Sequence, residues 1–148
     1  MRIYFPAAVE DLIALRDRQP LNLSQGFAAI PEWVAVQDEQ DAEVLEDYLL
    51  YAAADTSLAL GDNRTGVYSR IVVVAELAEE LVQALDIDEA RVAFGSGAVS
   101  LAPKSVQAVF VDDQHARDLI SKGESPEDES LSWFGPTEGQ IILESLGR

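Results

Sequence analysis

Five consecutive apolar residues, Ile71-Val72-Val73-Val74-Ala75, constrain this chain more than any other feature of it. A strand with one face in water alternates apolar and polar side chains. An unbroken, largely β-branched run offers no polar face and needs cover on both. The run therefore predicts a strand near the middle of a sheet. Val106 to Val111 is nearly as continuous and predicts a further buried strand.

Around these, Arg2 to Phe5 reads as a short strand ended by Pro6, and Ala7 to Asp17 as a helix with Val9, Leu12, Ile13 and Arg16 at helical spacing. Gly26 to Ile30 is a weak strand, and Pro31 opens a short helix carrying Trp33 and Val34. The longest element runs from about Asp38 to Leu60. From Tyr48 onward Leu50, Tyr51, Ala54 and Leu58 fill its second face, so that half is expected to be buried on nearly all sides. Gly61 to Gly66 reads as a flexible turn. Leu77, Leu81, Val82 and Leu85 set against Glu76, Glu79, Glu80 and Gln83 predict an amphipathic helix from Glu76 to Leu85.

Arg91 to Phe94 and Leu131 to Phe134 read as strands, and Gln114 to Lys122 as a helix capped by Asp113 and ended by Gly123. Thr137 and Gln140 have capping-box spacing for a final helix. Residues 124–130 offer no apolar anchor and predict a mobile acidic loop. The order from Ile71 to Phe134 is then β-α-β-β-α-β, a ferredoxin-like pattern with helices over a mixed sheet. The expected fold is α/β or α+β, with residues 1–148 forming a single domain.

A chain of 148 residues with 48% hydrophobic and 25% charged content has enough apolar surface to order itself without staples. It contains no cysteine, which excludes disulfides, thiol nucleophiles and thiolate metal sites. Pro6 and the pair Glu10-Asp11 interrupt the only apolar stretch at the N-terminus, and no run approaches the roughly 20 residues that span a bilayer. A soluble, unprocessed, cytoplasmic protein with no membrane partner is expected.

The net charge of −17 is carried by three blocks without a single base: Asp38 to Asp47, Glu76 to Glu89 and Glu124 to Glu138. Surface of this kind repels phosphate backbones and attracts basic partners, so nucleic acid is disfavoured and a basic protein surface favoured. Glu43, Glu46, Glu79 and Glu80, on the solvent sides of two expected helices, are the candidate partner-binding residues.

Catalytic signatures are sparse. Asp112 and Asp113 close one buried strand and Glu76 the other, a carboxylate set able to hold Mg²⁺ if the ends converge, although helix capping explains Asp113 alone. His115 has Asp118 three residues on, without a nucleophile elbow. Gly95-Ser96-Gly97 lacks both the third glycine of a dinucleotide fingerprint and the lysine of a P-loop, and reads as a bend. Asp55 either lies at an exposed helix edge, pairs with Arg64 or Arg70, or lines a small cavity. Trp33 and Trp133 read as core, and either becomes an interface anchor if exposed.

Met1-Arg2-Ile3-Tyr4-Phe5-Pro6-Ala7, Val72-Val73-Val74-Ala75-Glu76, Val109-Phe110-Val111-Asp112-Asp113 and Trp133-Phe134 together resemble a family of small acidic actinobacterial proteins of unknown function. The resemblance implies a cytoplasmic stand-alone domain and transfers no catalytic residue. Two functional expectations follow. The first is a non-enzymatic acidic interaction domain with a regulatory or accessory role and no cofactor. The alternative is a small-molecule-binding or Mg²⁺-dependent enzyme using Asp112, Asp113 and Glu76. Independently of either, like charge at this density opposes the compact state, and the Debye length falls to about 10 Å at 0.1 M salt. Thermal denaturation should show the melting temperature rising between low and moderate salt; a melting temperature that falls would contradict charge repulsion as a destabilising force.

Overall fold

The computed structural model describes residues 1–60, 66–95 and 97–148. In chain order the elements are β1 (Arg2–Pro6), α1 (Val9–Arg16), β2 (Leu21–Leu23), β3 (Gly26–Phe27), α2 (Pro31–Ala35), α3 (Ala42–Leu60), β4 (Ile71–Glu76), β5 (Val82–Asp86), β6 (Arg91–Phe94), β7 (Val99–Leu101), β8 (Val106–Val111), α4 (Gln114–Ser121), β9 (Ser132–Phe134) and α5 (Gly139–Ser145). Seven strands form one sheet in the order β5-β6-β3-β1-β4-β8-β9, and β2 pairs with β7 in a separate ribbon. The fold is mixed α/β, with no described helix long and apolar enough to cross a membrane.

Ile71 to Ala75 lie inside this sheet between β1 and β8, and all five are buried. Register divides the side chains between two faces. Tyr4 pairs with Phe27 and Val74, and this face, with Arg2 and Val72, receives α3. Ile3, Phe5, Val73, Val109 and Val111 point the other way and are equally buried. The elements left to cover them are α1, α5 and the β2–β7 ribbon, whose Leu12, Leu21, Leu101, Ile142 and Leu143 belong to the same core. Phe5 stacks on Phe94 with ring centroids 5.7 Å apart, joining β1 to β6 on this side.

Every pairing in the large sheet is antiparallel, so the expected mixed sheet is corrected. An apolar run reports cover on both faces and carries no information about strand direction. The ferredoxin-like order is corrected as well. Residues Glu76 to Leu85 form a 3₁₀ turn at Glu79–Leu81 followed by β5, not a helix. Val82 pairs with Phe94 and Ala84 with Val92 at the sheet margin, where ladder hydrogen bonds outweigh a helical spacing that had no helix-facing core to meet. Leu81 and Leu85, expected to be buried, are exposed. The reversal into β6 is set by Asp86, whose Oδ1 accepts from the Asp88 and Glu89 amides at 3.1 and 3.3 Å.

The long helix begins at Ala42, where Asp41 Oδ1 accepts from the Glu43 amide at 2.9 Å. It covers one face of the sheet and keeps an open side, so Tyr48 and Asp55 are exposed and the expectation of burial on nearly all sides is corrected. α4 begins at the Asp113 cap, with Oδ1 2.9 Å from the Ala116 amide, and ends before Gly123 at φ +77°. The Thr137–Gln140 capping box does not form, because α5 starts at Gly139 and Glu138 instead accepts from the Gly135 amide at 2.8 Å. The Gly61 to Thr65 part of the expected turn lies outside the described residues, as do Arg64 and Ser96.

Gly26 sits where β3 crosses between β1 and β6. A Cβ there would lie 2.6 Å from Ile3 Cγ2 and 3.3 Å from Val92 Cγ2. Overpacking of this kind costs about 1–3 kcal/mol. Chemical denaturation of Gly26→Ala should show that loss, and a midpoint equal to the parent's would mean the sheet face is looser than described.

Candidate functional site

The two buried strands end on opposite chemistry. Arg70 precedes β4 and Asp112 follows β8, and because the strands run antiparallel the two residues meet at one end of the pair. Their side chains are 1% and 0% exposed, with Arg70 Nη2 2.7 Å from Asp112 Oδ1. Arg70 Nε lies 3.1 Å from both carboxylate oxygens, and the Arg70 amide donates to Oδ2 at 2.7 Å. Ser69 Oγ accepts from the Asp112 amide at 3.1 Å, and Arg117 Nη1 donates to the Asp112 carbonyl at 2.8 Å. The guanidinium carbon stands 5.7 Å from the centre of the Tyr51 ring, and Nη2 reaches the Glu129 carbonyl at 3.0 Å. One buried ion pair thereby ties together β4, β8, α3 and residues 124–130.

That tie alters the reading of the acidic loop. Pro126 is buried, Glu129 takes the Arg70 bond through its backbone, and its carboxylate is 3.2 Å from His115 Nε2. Tyr51 Oη accepts from the Leu131 amide at 3.3 Å. The anchor missing from the sequence reading is thus Pro126 together with backbone groups.

The three carboxylates of the Mg²⁺ alternative do not converge. Asp112 is filled by Arg70 and Asp113 caps α4. Glu76 lies at the opposite end of β4, paired across the sheet with Arg2 and 3.1 Å from the Met1 nitrogen. Among the described residues no group of three or more His, Asp or Glu is placed to hold a metal ion. His115 is exposed, and Asp118 bonds Gln114 Nε2 at 2.7 Å instead of the imidazole. Gly97 turns at φ +93° with its amide 2.8 Å from the Phe94 carbonyl, and a strand, β7, follows where a phosphate loop would need a helix. Asp55 lies on the open side of α3 beside Tyr48, Tyr51 and Ala52, and Arg70 goes to Asp112. Trp33 is buried against Tyr48, with ring centroids 5.5 Å apart, while Trp133 on the edge strand β9 is 60% exposed.

The partner-binding candidates fare differently. α3 starts over the Arg2 end of β1, where Glu46 is 3.7 Å from Arg2 Nη1. Arg2 pairs in register with Glu76, and the Leu77 amide donates to the Met1 carbonyl at 2.9 Å. Glu79 and Glu80 follow two and three residues later, so Glu43, Glu46, Glu79 and Glu80 belong to one end of the sheet. Tyr4, under the same turn of α3, has its phenol pKa raised, first by burial, with Arg2 opposing and Glu46 and Asp47 adding to the rise. The first part of the third acidic block, residues 124–129, lies at the other end, with Arg70.

Breaking a buried ion pair by removing one partner costs about 3–5 kcal/mol, whereas replacing both by apolar groups is often near neutral. Asp112→Ala should therefore lose most of that range in denaturant melts, and Arg70→Met/Asp112→Leu should recover a large part of it. A double variant as weak as the sum of the singles would mean the pair acts through its separate backbone contacts.

A model of a protein family of unknown function, DUF6912, matches residues 1–143. Among curated proteins and among solved structures no match is found. The match spans every strand of the sheet, the Arg70–Asp112 pair and both acidic helix and turn, and on that extent the chain belongs to the DUF6912 family.

Proposed function

We propose that this protein is a non-enzymatic cytoplasmic interaction domain that receives a basic segment of a partner protein at the acidic end of its sheet, in a regulatory or accessory role. The observation that carries this reading is the placement of Arg2 between Glu46 on α3 and Glu76 on β4. Two acidic blocks far apart in sequence thereby meet, and Arg2 with the Met1 amine offsets only part of their charge. A field of one sign steers an oppositely charged partner over roughly a Debye length, about 8 Å at physiological salt, and acts mainly on the association rate.

The same end supplies contact surface. β5 is an edge strand that follows directly on Glu79 and Glu80, and among the described residues its outer side pairs with no strand. An edge strand turns unpaired N–H and C=O groups outward and accepts an added strand. Exposed Leu81 and Leu85 give it apolar contacts, and Asp86, Asp88 and Glu89 continue the negative charge past its far end. An extended segment alternating basic and apolar residues fits this edge. A second copy fits poorly, because it would bring the same acidic groups face to face.

A peptide alternating lysine and valine, titrated into the isotope-labelled protein, tests the reading. Amide shifts should concentrate in β5 and the first turns of α3, and binding should weaken as salt rises. Glu43→Lys/Glu46→Lys should weaken it about tenfold or more, since each lost close charge pair is worth on the order of 1 kcal/mol or more. Glu124→Lys/Glu127→Lys changes net charge equally at the other end and should do far less. Equal losses from the two double variants would reduce the acidic surface to a solubility device.

A further inference from the structure

The ten bases of this acid-rich chain are not spread evenly. Arg2, Arg16, Arg70 and Arg91 are each within 4 Å of a carboxylate. Arg18 and Lys104, like Arg117 and Lys122, make no ion pair among the described residues. Arg18 and Lys104 both line one cleft of about 430 Å³, together with Arg16, Thr137, Gln140 and the backbone of Gly139. Its walls are the C-terminus of α1, the 3₁₀ turn Pro103–Ser105 and the start of α5. Val106, also in the lining, pairs with Ala75 beside Glu76, so the cleft opens at the acidic end of the sheet but from the α1 side, across the sheet from α3.

Backbone geometry at Arg18 is the second observation. Helix α1 ends at Arg16 with Asp17 as its C-cap, and Arg18 occupies the position after the cap at φ +58°, with the Gln19 amide bonding back to the Ala14 carbonyl at 2.8 Å. Glycine is the usual occupant there, because a Cβ is disfavoured in the left-handed region. An arginine in that conformation directs a long cation to the cleft at a conformational cost, the kind of outlier that clusters at binding sites. Arg16 contributes less, because it is bonded to Asp17 at 2.9 Å and holds that carboxyl below its usual range.

We infer that this cleft binds a small phosphate-bearing molecule, with Arg18 and Lys104 as its charge partners and Thr137 and Gln140 as neutral donors. Arg18 presents a planar fork suited to two phosphate oxygens, Lys104 a compact point charge, and the volume falls within the roughly 300–1,000 Å³ of small-molecule sites. Nearby acids are Asp17, already held by Arg16, Glu138, which accepts from the Gly135 amide, and Glu144, whose Oε1 accepts one N–H of Gln140 Nε2 at 3.0 Å and leaves the other for a ligand. The site is independent of the basic-partner reading.

Calorimetric titration with inorganic phosphate and with phenyl phosphate, at constant ionic strength, tests it. Saturable one-to-one binding is expected for both, tighter for phenyl phosphate because Pro103, Pro136 and Leu15 offer it apolar contact. Arg18→Gln and Lys104→Gln should each weaken binding at least tenfold. Lys122→Gln, removing a cation at the end of α4 that is not in the cleft lining, should leave it unchanged. Arg18→Gly should melt at the same or a higher temperature than the parent and still lose binding, separating the ligand role from folding. Absence of saturation, an equal loss in Lys122→Gln, or full binding by Arg18→Gly would each overturn the inference.

Discussion

Two-sided burial of β4 is the constraint on which the remaining structure depends. Ile71 to Ala75 have no face that tolerates water, so α3 must lie on one side and α1, α5 and the β2–β7 ribbon on the other. Each fully buried side chain of this kind contributes about 1.5–3 kcal/mol. Polar chemistry is thereby expelled to the ends of the strands. At one end the last buried backbone groups and the first polar side chains coincide, and the Arg70–Asp112 pair satisfies both: the carboxylate takes the Arg70 amide as well as the guanidinium. Removing either partner of such a buried pair would strand the other, and here the Asp112 carboxylate accepts from the Arg70 amide, Nε and Nη2 together.

At the other end charge is sorted by face. The α3 side carries Glu43, Glu46 and Glu76, while Arg16, Arg18 and Lys104 gather beyond the sheet on the α1 side. The apolar strands between them keep the two sets from neutralising each other. A net charge of −17 therefore coexists with a local cationic cleft, and each set keeps a field of its own within a Debye length. The family match to DUF6912 spans both.

Much of this was legible before any coordinates. β4 and β8 follow from continuous apolar runs, and the α4 boundaries from Asp113 and Gly123, because these signals are local and have one dominant physical cause. β5 was not, since Leu77, Leu81, Val82 and Leu85 satisfy a helical period and only pairing with β6 decides against it; the Asx turn at Asp86 was the available clue. Arg70 and Asp112 stand 42 residues apart, and their meeting depends on strand direction, which side-chain pattern does not encode. The acidic residues were nameable, but their convergence rests on Arg2, whose role appears only once β1 is placed beside β4. Arg18 carries no sequence signal at all, as its significance lies in a positive φ.

Sorting of charge across the two faces of one sheet end is the central claim, and near-surface potential tests it most directly. Paramagnetic relaxation of amide protons by a cationic nitroxide, compared residue by residue with an anionic one, reports that potential without any partner or ligand. The cationic probe should dominate most strongly around Glu43, Glu46 and Glu76, and the ratio should fall toward or past unity around Arg18, Lys104 and Thr137. A ratio uniform across those two groups would contradict the sorting and leave the net charge as a featureless property of the surface.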